Sequence, residues 1–265
     1  MIDIHSHILP EIDDGPAAMA DALLMAELAV AGGCSVLFAT PHLIARQDLE
    51  KAKELAGQVA KLRGALAAAG IPLRVLPGME GYPEEFIIEA VAAGYPITLN
   101  QAGKYLLLET PLTRLPMGFE HLVYGLELQG ITAILAHPER SAAVQENPRV
   151  LEPLVERGVL LQINAGSLLG RHRSRAEQTV RALLALHWVQ FVASDAHSPR
   201  RRRPGLSPVM RPLTDIVGKE MAAALLKQNG QCVIDGQPIS CAPRAYQAVR
   251  KGWRPFGWFG RVCRS

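Results

Sequence analysis

Histidines and carboxylates recur at comparable places along this chain. His5 and His7 stand one residue apart in IDIHSH, with Asp13 and Asp14 shortly behind them. His42 ends ATPH, Glu80 ends GME, Glu109 lies in LLLETP, His137 in AHPER, and Asp195 and His197 in SDAH. Each string directly follows a short apolar run. Five imidazoles (His5, His7, His42, His137, His197) and four carboxylates (Asp14, Glu80, Glu109, Asp195) are therefore candidates for a common site. Without a cation, carboxylates gathered in one place repel one another and undergo large pKa shifts. Divalent metal ions remove that conflict, and mixed imidazole and carboxylate donors suit zinc, manganese or iron. Nine donors exceed the needs of one ion and match two or three, with positions open for water and substrate. Only one of Asp13 and Asp14 need reach a metal. The other could cap a helix beginning near Pro16, and spacing does not choose between them. His121, His172 and His187 read as structural or surface residues.

The elements that must position these groups are legible from hydrophobic periodicity. Short β-rich runs lie at Ile2–His5, Val36–Thr40, Leu73–Pro77, Tyr105–Leu108, Thr132–Ala136, Val159–Ile163 and Val189–Ala193. Between them, Ala17–Ala31, Leu49–Ala69, Glu84–Ala93, Phe119–Gln129, Pro148–Arg157 and Ala176–Leu186 have helical spacing. Strict alternation predicts a parallel α/β sheet with crossover helices, and seven units in about 200 residues suit a closed (β/α) barrel. In a barrel the C-terminal ends of the strands share one face, which is where all nine candidate donors fall. A single domain over 1–265 is expected, with a barrel core at about 1–200 and C-terminal helices and tail at about 205–265. Thr214–Gln228 and Ala245–Arg250 read as helical, and the tail KGWRPFGWFGRVCRS as a packed or frayed terminus.

Composition excludes other classes. The chain has 265 residues, 49% of them hydrophobic, and a net charge of +3. That charge does not indicate a nucleic-acid protein. Arginines cluster in RHRSR (171–175) and RRRR (200–203), either a solvated surface or an anion clamp. Four cysteines without CxxC spacing, and no signal peptide before Met1, fit a reducing cytoplasm. No apolar run reaches the roughly 18–20 residues of a membrane span. A cysteine-nucleophile phosphatase requires Cys followed six residues later by Arg. The residues so placed after Cys34, Cys232 and Cys241 are Thr40, Pro238 and Gln247, and Cys263 lies too near the end.

Taken in order, HSHILPEIDDG, ATPH, GME, LLLETP, AHPER, NAGSLLG and SDAH resemble the motifs of the polymerase-and-histidinol-phosphatase (PHP) superfamily, most closely its CpsB/CapC/YwqE-type bacterial tyrosine-protein phosphatases. The resemblance implies a distorted (β/α)7 TIM-like barrel and three divalent ions, Mn²⁺ before Fe or Zn. His5, His7, Glu80 and Asp195 would hold one ion. Glu80, Glu109 and His137 would hold a second, and Asp14, His42 and His197 the third. It also implies a phosphotyrosine substrate on the tail of a bacterial tyrosine kinase that controls capsule or exopolysaccharide synthesis. Arg140 and an arginine of the 200–203 run, Arg202 or Arg203, would contact the phosphate. The sequence departs from the family at Leu43, where a second histidine often follows TPH. A small-molecule phosphoesterase of the same superfamily, acting on a substrate such as histidinol phosphate, is the alternative, and a non-catalytic scaffold a more remote one.

Overall fold

The computed structural model describes residues 1–239. In chain order its main elements are β1 (Ile2–Asp3), α1 (Met19–Ala31), β2 (Val36–Ala39), β3 (His42–Leu43), α2 (Leu49–Ala68), β4 (Arg74–Pro77), β5 (Glu80–Gly81), α3 (Phe86–Ala92), β6 (Tyr105–Glu109), α4 (Phe119–Leu128), β7 (Thr132–Ala136), α5 (Ala142–Glu146), α6 (Glu152–Glu156), β8 (Leu160–Asn164), α7 (Ala165–Leu168), α8 (Arg173–Ala185), β9 (Val189–Ala193), α9 (Met210–Val217), α10 (Lys219–Ala223) and α11 (Asn229–Asp235). The strands form two parallel sheets, ordered β1-β2-β4 and β3-β5-β6-β7-β8-β9. β3 and β5 continue the paths of β2 and β4 after short breaks. The first break contains Pro41, which has no N–H to give the ladder. Beyond β1 and β9 the first and last strand paths meet. Ser6 bridges Ala196 in parallel, Asp195 N–H donates to His5 O at 3.0 Å, and His7 N–H donates to Ala196 O at 2.8 Å.

The two-residue side-chain period of a strand sorts its residues between two hydrophobic clusters. Leu106, Leu108, Ala133, Leu135, Leu161 and Ile163 pack in the cluster that includes the helices. Tyr105, Leu107, Ile134, Ala136 and Leu160 face the other way and pack with Ile2, Ile4, Phe38, Leu76 and Phe191. By the same parity Gln162 and Asn164 share the face of Leu160. The helices close the first cluster with narrow apolar stripes; that of α2 is Leu55, Val59, Leu62 and Leu66. α11 seals the second cluster from the strands' N-terminal side with Val233. There Tyr105 Oη donates to Gln237 O at 2.6 Å and Asn100 Nδ2 to Ile234 O at 3.2 Å.

The predicted strands are found within one or two residues of their expected bounds. Two predicted helices are divided. Pro148–Arg157 is a 3₁₀ turn at Pro148–Leu151 followed by α6, whose first turn contains Pro153. Thr214–Gln228 is cut at Gly218, which has φ +82°. α9 therefore ends at Val217, and α10 passes through a π-helical turn, Ala224–Gln228, into α11. The expected helix Ala245–Arg250 and the aromatic, basic tail lie outside the described residues. Among the described residues no helix is long and apolar enough to cross a membrane.

Candidate metal centre

All nine candidate donors lie at the C-terminal ends of the strands. Parallel pairing supplies the register: His42 on β3 sits opposite Glu80 on β5, and Glu80 opposite Leu107 on β6. Glu80 is fully buried at the centre of the group. Its Oε1 is 2.9 Å from His137 Nε2. Its Oε2 lies 3.1 Å from His42 Nδ1, 3.3 Å from His5 Nε2 and 3.4 Å from His7 Nε2. Asp195 Oδ1 stands 3.5 Å from His5 Nε2 and 3.7 Å from His7 Nε2. On the outer side, Asp14 Oδ1 is 3.2 Å from His197 Nε2 and 3.5 Å from His42 Nε2. Glu109, partly exposed, comes nearest at 3.9 Å from His42 Nδ1. Two sets of donor atoms are close enough to share an ion: His7, Asp14, His42 and His197, and His5, His7 and Glu80.

The structure separates Asp13 from Asp14. Asp13 Oδ2 accepts from His7 Nδ1 at 2.6 Å and from the His42 backbone N–H at 3.1 Å, while Oδ1 accepts from Gly15 N–H at 3.0 Å. Its side chain is 5% exposed against 61% for Asp14. The helix-capping role considered for one of the pair is not found. α1 starts at Met19, its first turn has no side-chain cap, and Asp13 turns inward to the imidazole instead. The turn closes tightly enough that a Cβ on Gly15 would stand 2.3 Å from His7 O, so only glycine fits there.

Charge in the cluster is strongly coupled. Burial disfavours the imidazolium form of His5, His7 and His42, yet the carboxylates outweigh it. Glu80 and Asp195 raise the pKa of His5, Asp13 and Glu80 raise that of His7 to about 10, and Glu80 raises that of His42. Burial and the neighbouring charge of His7 instead lower His197 to about 2. Burial and the Glu80 carboxylate push Glu109 up. Asp195 is held well below the usual carboxylate range; burial opposes this, but His5, His137 and Arg202 prevail.

The donor set fits divalent cations. Glu80 Oε2, Asp195 Oδ1, His42 Nδ1, His137 Nδ1 and His197 Nε2 are all buried without a partner in hydrogen-bond geometry. Orphaned buried polar atoms are costly, and here acceptor oxygens and imidazole nitrogens are orphaned together. The backbone is also strained at two of these residues. His137 has φ +37° and Asp195 φ +51°, left-handed values that non-glycine residues rarely adopt and that gather at functional sites.

Of the arginines expected at the phosphate, Arg140 and Arg202 line the pocket. It has a volume of about 180 Å³ and is bounded by Asp14, His42, Glu80, Glu109, Leu112, His137, Asp195 and His197. Arg140 Nη1 donates to Asp195 Oδ2 at 3.2 Å. Arg202 Nη2 pairs with the same oxygen. Arg203, expected as an equal candidate, is exposed and outside the lining. The Arg202 carbonyl accepts from His197 and Ser198 N–H at 3.0 and 3.2 Å, which anchors that loop beneath the site. His172, read as structural or surface, is half-buried beside this pair; burial and the charges of Arg140 and Arg202 lower its pKa. Cys34 is buried and its thiol is pushed up to about 12, chiefly by burial, which is unsuited to a nucleophile.

Two residues that touch the donors, Gln162 and Asn164, have no role in the sequence analysis, and Asp13, considered there as a ligand or a helix cap, instead holds the His7 ring. The available signal was two amides at i and i+2 in LLQIN, an otherwise apolar strand, which places both on one buried face.

Parallel strands that deliver a cluster of imidazoles and carboxylates to one pocket, with two arginines at its wall, define an α/β protein with a candidate metal centre. A family profile described as capsular polysaccharide synthesis, CpsB/CapC, matches residues 1–235, and the chain belongs to that family. It is 35% identical over 262 residues to the tyrosine-protein phosphatase YwqE of Bacillus subtilis, covering 98% of this chain and 100% of that one. It is 27% identical over 247 residues to the tyrosine-protein phosphatase CpsB of Streptococcus agalactiae, covering 90% and 100%. It also superposes with a TM-score of 0.87 and 34% identity on a crystal structure from work on YwqE and Streptococcus pneumoniae CpsB, described as unique metal-dependent tyrosine phosphatases; 92% of this chain and 98% of that one are covered.

Proposed function

We propose that this protein is a metal-dependent protein-tyrosine phosphatase whose substrate is phosphotyrosine on the tail of a bacterial tyrosine kinase controlling capsule or exopolysaccharide synthesis. The observation that carries the reading is the convergence of orphaned carboxylate and imidazole atoms in a pocket walled by Arg140 and Arg202. Family membership and the named activity of the relatives support it.

We assign three ions, Mn²⁺ as the working choice. His5, His7, Glu80 and Asp195 would hold the first, Glu80, Glu109 and His137 the second, and Asp14, His42 and His197 the third. When bound, such ions supply Lewis-acid stabilisation of phosphoryl charge and a nucleophile available at neutral pH. The chain's own contribution is positioning. Asp13 holds the His7 ring by its Nδ1, leaving Nε2 toward Glu80. Arg140 and Arg202 each give N–H groups to Asp195 and keep others for the non-bridging phosphoryl oxygens. Leu112 offers apolar surface at the pocket for the phenyl ring. A phenol, with a pKa of about 10, departs with less protonation than an alkyl alcohol requires, so the scheme assigns no separate acid.

We further read the chain as one domain whose sheets close into a (β/α)7 barrel, supported by the contact between Ser6 and Ala196 that joins the first and last strand paths. A cytoplasmic location is supported by Cys34 and Cys232, which form no disulfide among the described residues.

The test is hydrolysis of a phosphotyrosine peptide and of histidinol phosphate by protein stripped with chelator and reloaded with Mn²⁺. Metal-dependent turnover that favours the peptide is expected. Preference for histidinol phosphate would replace the protein substrate with a small molecule, and full activity without metal would overturn the mechanism.

A further inference from the structure

The buried amides of β8 form a hydrogen-bonded chain between two of the proposed ligands. His5 Nδ1 is 2.8 Å from Gln162 Oε1, Gln162 Nε2 donates to Asn164 Oδ1 at 2.9 Å, and Asn164 Nδ2 donates to Asp195 Oδ2 at 2.6 Å. All four residues are buried. Gln162 and Asn164 are two apart on one strand, so both point to the face that carries His5 on β1's path and Asp195 on β9's path.

Chemistry fixes the direction of every bond in this chain. An ionised carboxylate accepts only, and Asp195 Oδ2, which also meets Arg140 and Arg202, can only receive from Asn164. Asn164 must therefore present its NH₂ to Asp195 and its oxygen to Gln162. Gln162 must then present its NH₂ to Asn164 and its oxygen to His5. The ring nitrogen facing that oxygen has to carry a proton. Neutral His5 is thereby restricted to the Nδ1–H tautomer, and its lone pair is placed on Nε2. That atom faces His7 Nε2 at 3.2 Å, Glu80 Oε2 at 3.3 Å and Asp195 Oδ1 at 3.5 Å. At the far end the chain of bonds occupies Asp195 Oδ2 and leaves Oδ1 without a donor.

We propose that Gln162 and Asn164 are positioning residues of the metal centre: a polarity relay that starts at the Asp195 carboxylate and sets the tautomer of His5, so that one apolar strand prepares both residues as donors to a common cation. The proposal rests on the ligand assignment above for His5 and Asp195. It gives the QIN segment a function beyond packing, since a hydrocarbon side chain would fill the same space without dictating which nitrogen is bare. Outer-shell partners of metal ligands typically contribute 10- to 100-fold in affinity or activity.

The experiment measures Mn²⁺ affinity by titration, with free ion followed by electron paramagnetic resonance, and the His5 tautomer by ¹⁵N imidazole NMR of the Zn²⁺-loaded protein and of the metal-free protein at alkaline pH, where the ring is neutral. Gln162→Leu and Asn164→Leu are expected to weaken the tightest Mn²⁺ site by about 10- to 100-fold. The decisive reading is Asn164→Leu. Asn164 has no hydrogen bond to His5, yet its loss frees Gln162 to flip and is expected to turn a single Nδ1–H signature into a mixture. Gln162→Glu keeps an acceptor on His5 and is expected to restore the signature, a rescue that packing alone does not produce; it also carries the test if a leucine variant fails to fold. Unchanged Mn²⁺ affinity and an unchanged His5 signature in Asn164→Leu, or loss of that signature in Gln162→Glu, would overturn the relay. His5→Ala separates the two levels: if it too leaves Mn²⁺ affinity unchanged, the ligand assignment is what has failed.

Discussion

Glu80→Gln is the substitution that most directly probes the centre, because it changes charge with almost no change in shape. Glu80 is fully buried, and its two oxygens lie within 3.4 Å of ring nitrogens from His5, His7, His42 and His137. A unit charge at the 3.3 Å separation from His5 interacts with the carboxylate by about 5 kcal/mol at an effective dielectric constant of about 20. For a divalent ion at a similar distance the figure is about twice that, before dehydration of the ion and repulsion from Asp195 reduce it. If even about 3 kcal/mol survives, affinity for an ion held by Glu80 falls by about 100-fold. We therefore expect Glu80→Gln, purified under limiting Mn²⁺, to lose at least one ion per chain by elemental analysis. kcat for a phosphotyrosine peptide should fall at least about 100-fold, with little change in the far-ultraviolet circular dichroism. Full metal content with ordinary turnover would remove Glu80 from the site and with it the bridging scheme.

Other expectations follow from the same geometry. Asp13→Asn should release the His7 ring and lower Mn²⁺ affinity about 10- to 100-fold by titration although Asp13 is not itself assigned to an ion; equal affinity to the parent protein would make Asp13 a turn residue only. Arg202→Ala should cut kcat/KM for phosphopeptides about 10- to 100-fold, the scale of a lost charge-assisted hydrogen bond, whereas Arg203→Ala should leave it within about twofold; the reverse order would mean that the loop rearranges on binding substrate. Arg140→Ala should mainly lower kcat, and because Arg140 also holds Asp195 it should weaken Mn²⁺ binding as well. In metal-free protein the folded-state pKa values of His5, His7 and His42 are raised, so their contribution to stability is complete below the ordinary histidine value and is lost as pH rises through the raised ones. The Tm of metal-free protein should thus fall between about pH 6.5 and pH 10, and Mn²⁺, which binds the neutral rings, should oppose that fall; a flat profile without metal would contradict the coupling.

Sequence alone determined the inventory and its placement along the chain. Short apolar, β-rich runs marked the strands, and the donors stood directly after them, so a shared C-terminal face followed from parallel packing. That inference is robust because side-chain alternation and crossover connections depend on local pattern. Helix ends were less legible: Gly218 stops α9 through a left-handed backbone value that a hydrophobic pattern does not encode. The tertiary structure gives neighbouring residues of one type different surroundings. Asp13 and Asp14 have the same chemistry and adjacent positions, and only the fold-back of the DDG turn onto His7 sends one inward and leaves the other at the mouth. Arg202 and Arg203 likewise share a type, and only Arg202 lines the pocket. The amides of QIN read as polar interruptions in a strand. Their meaning depends on His5 and Asp195, 157 and 31 residues away from their respective partners Gln162 and Asn164. Which nitrogen of a ring is bare depends on the last acceptor in a chain of bonds, and strand register brings that acceptor into reach only when the whole sheet has formed.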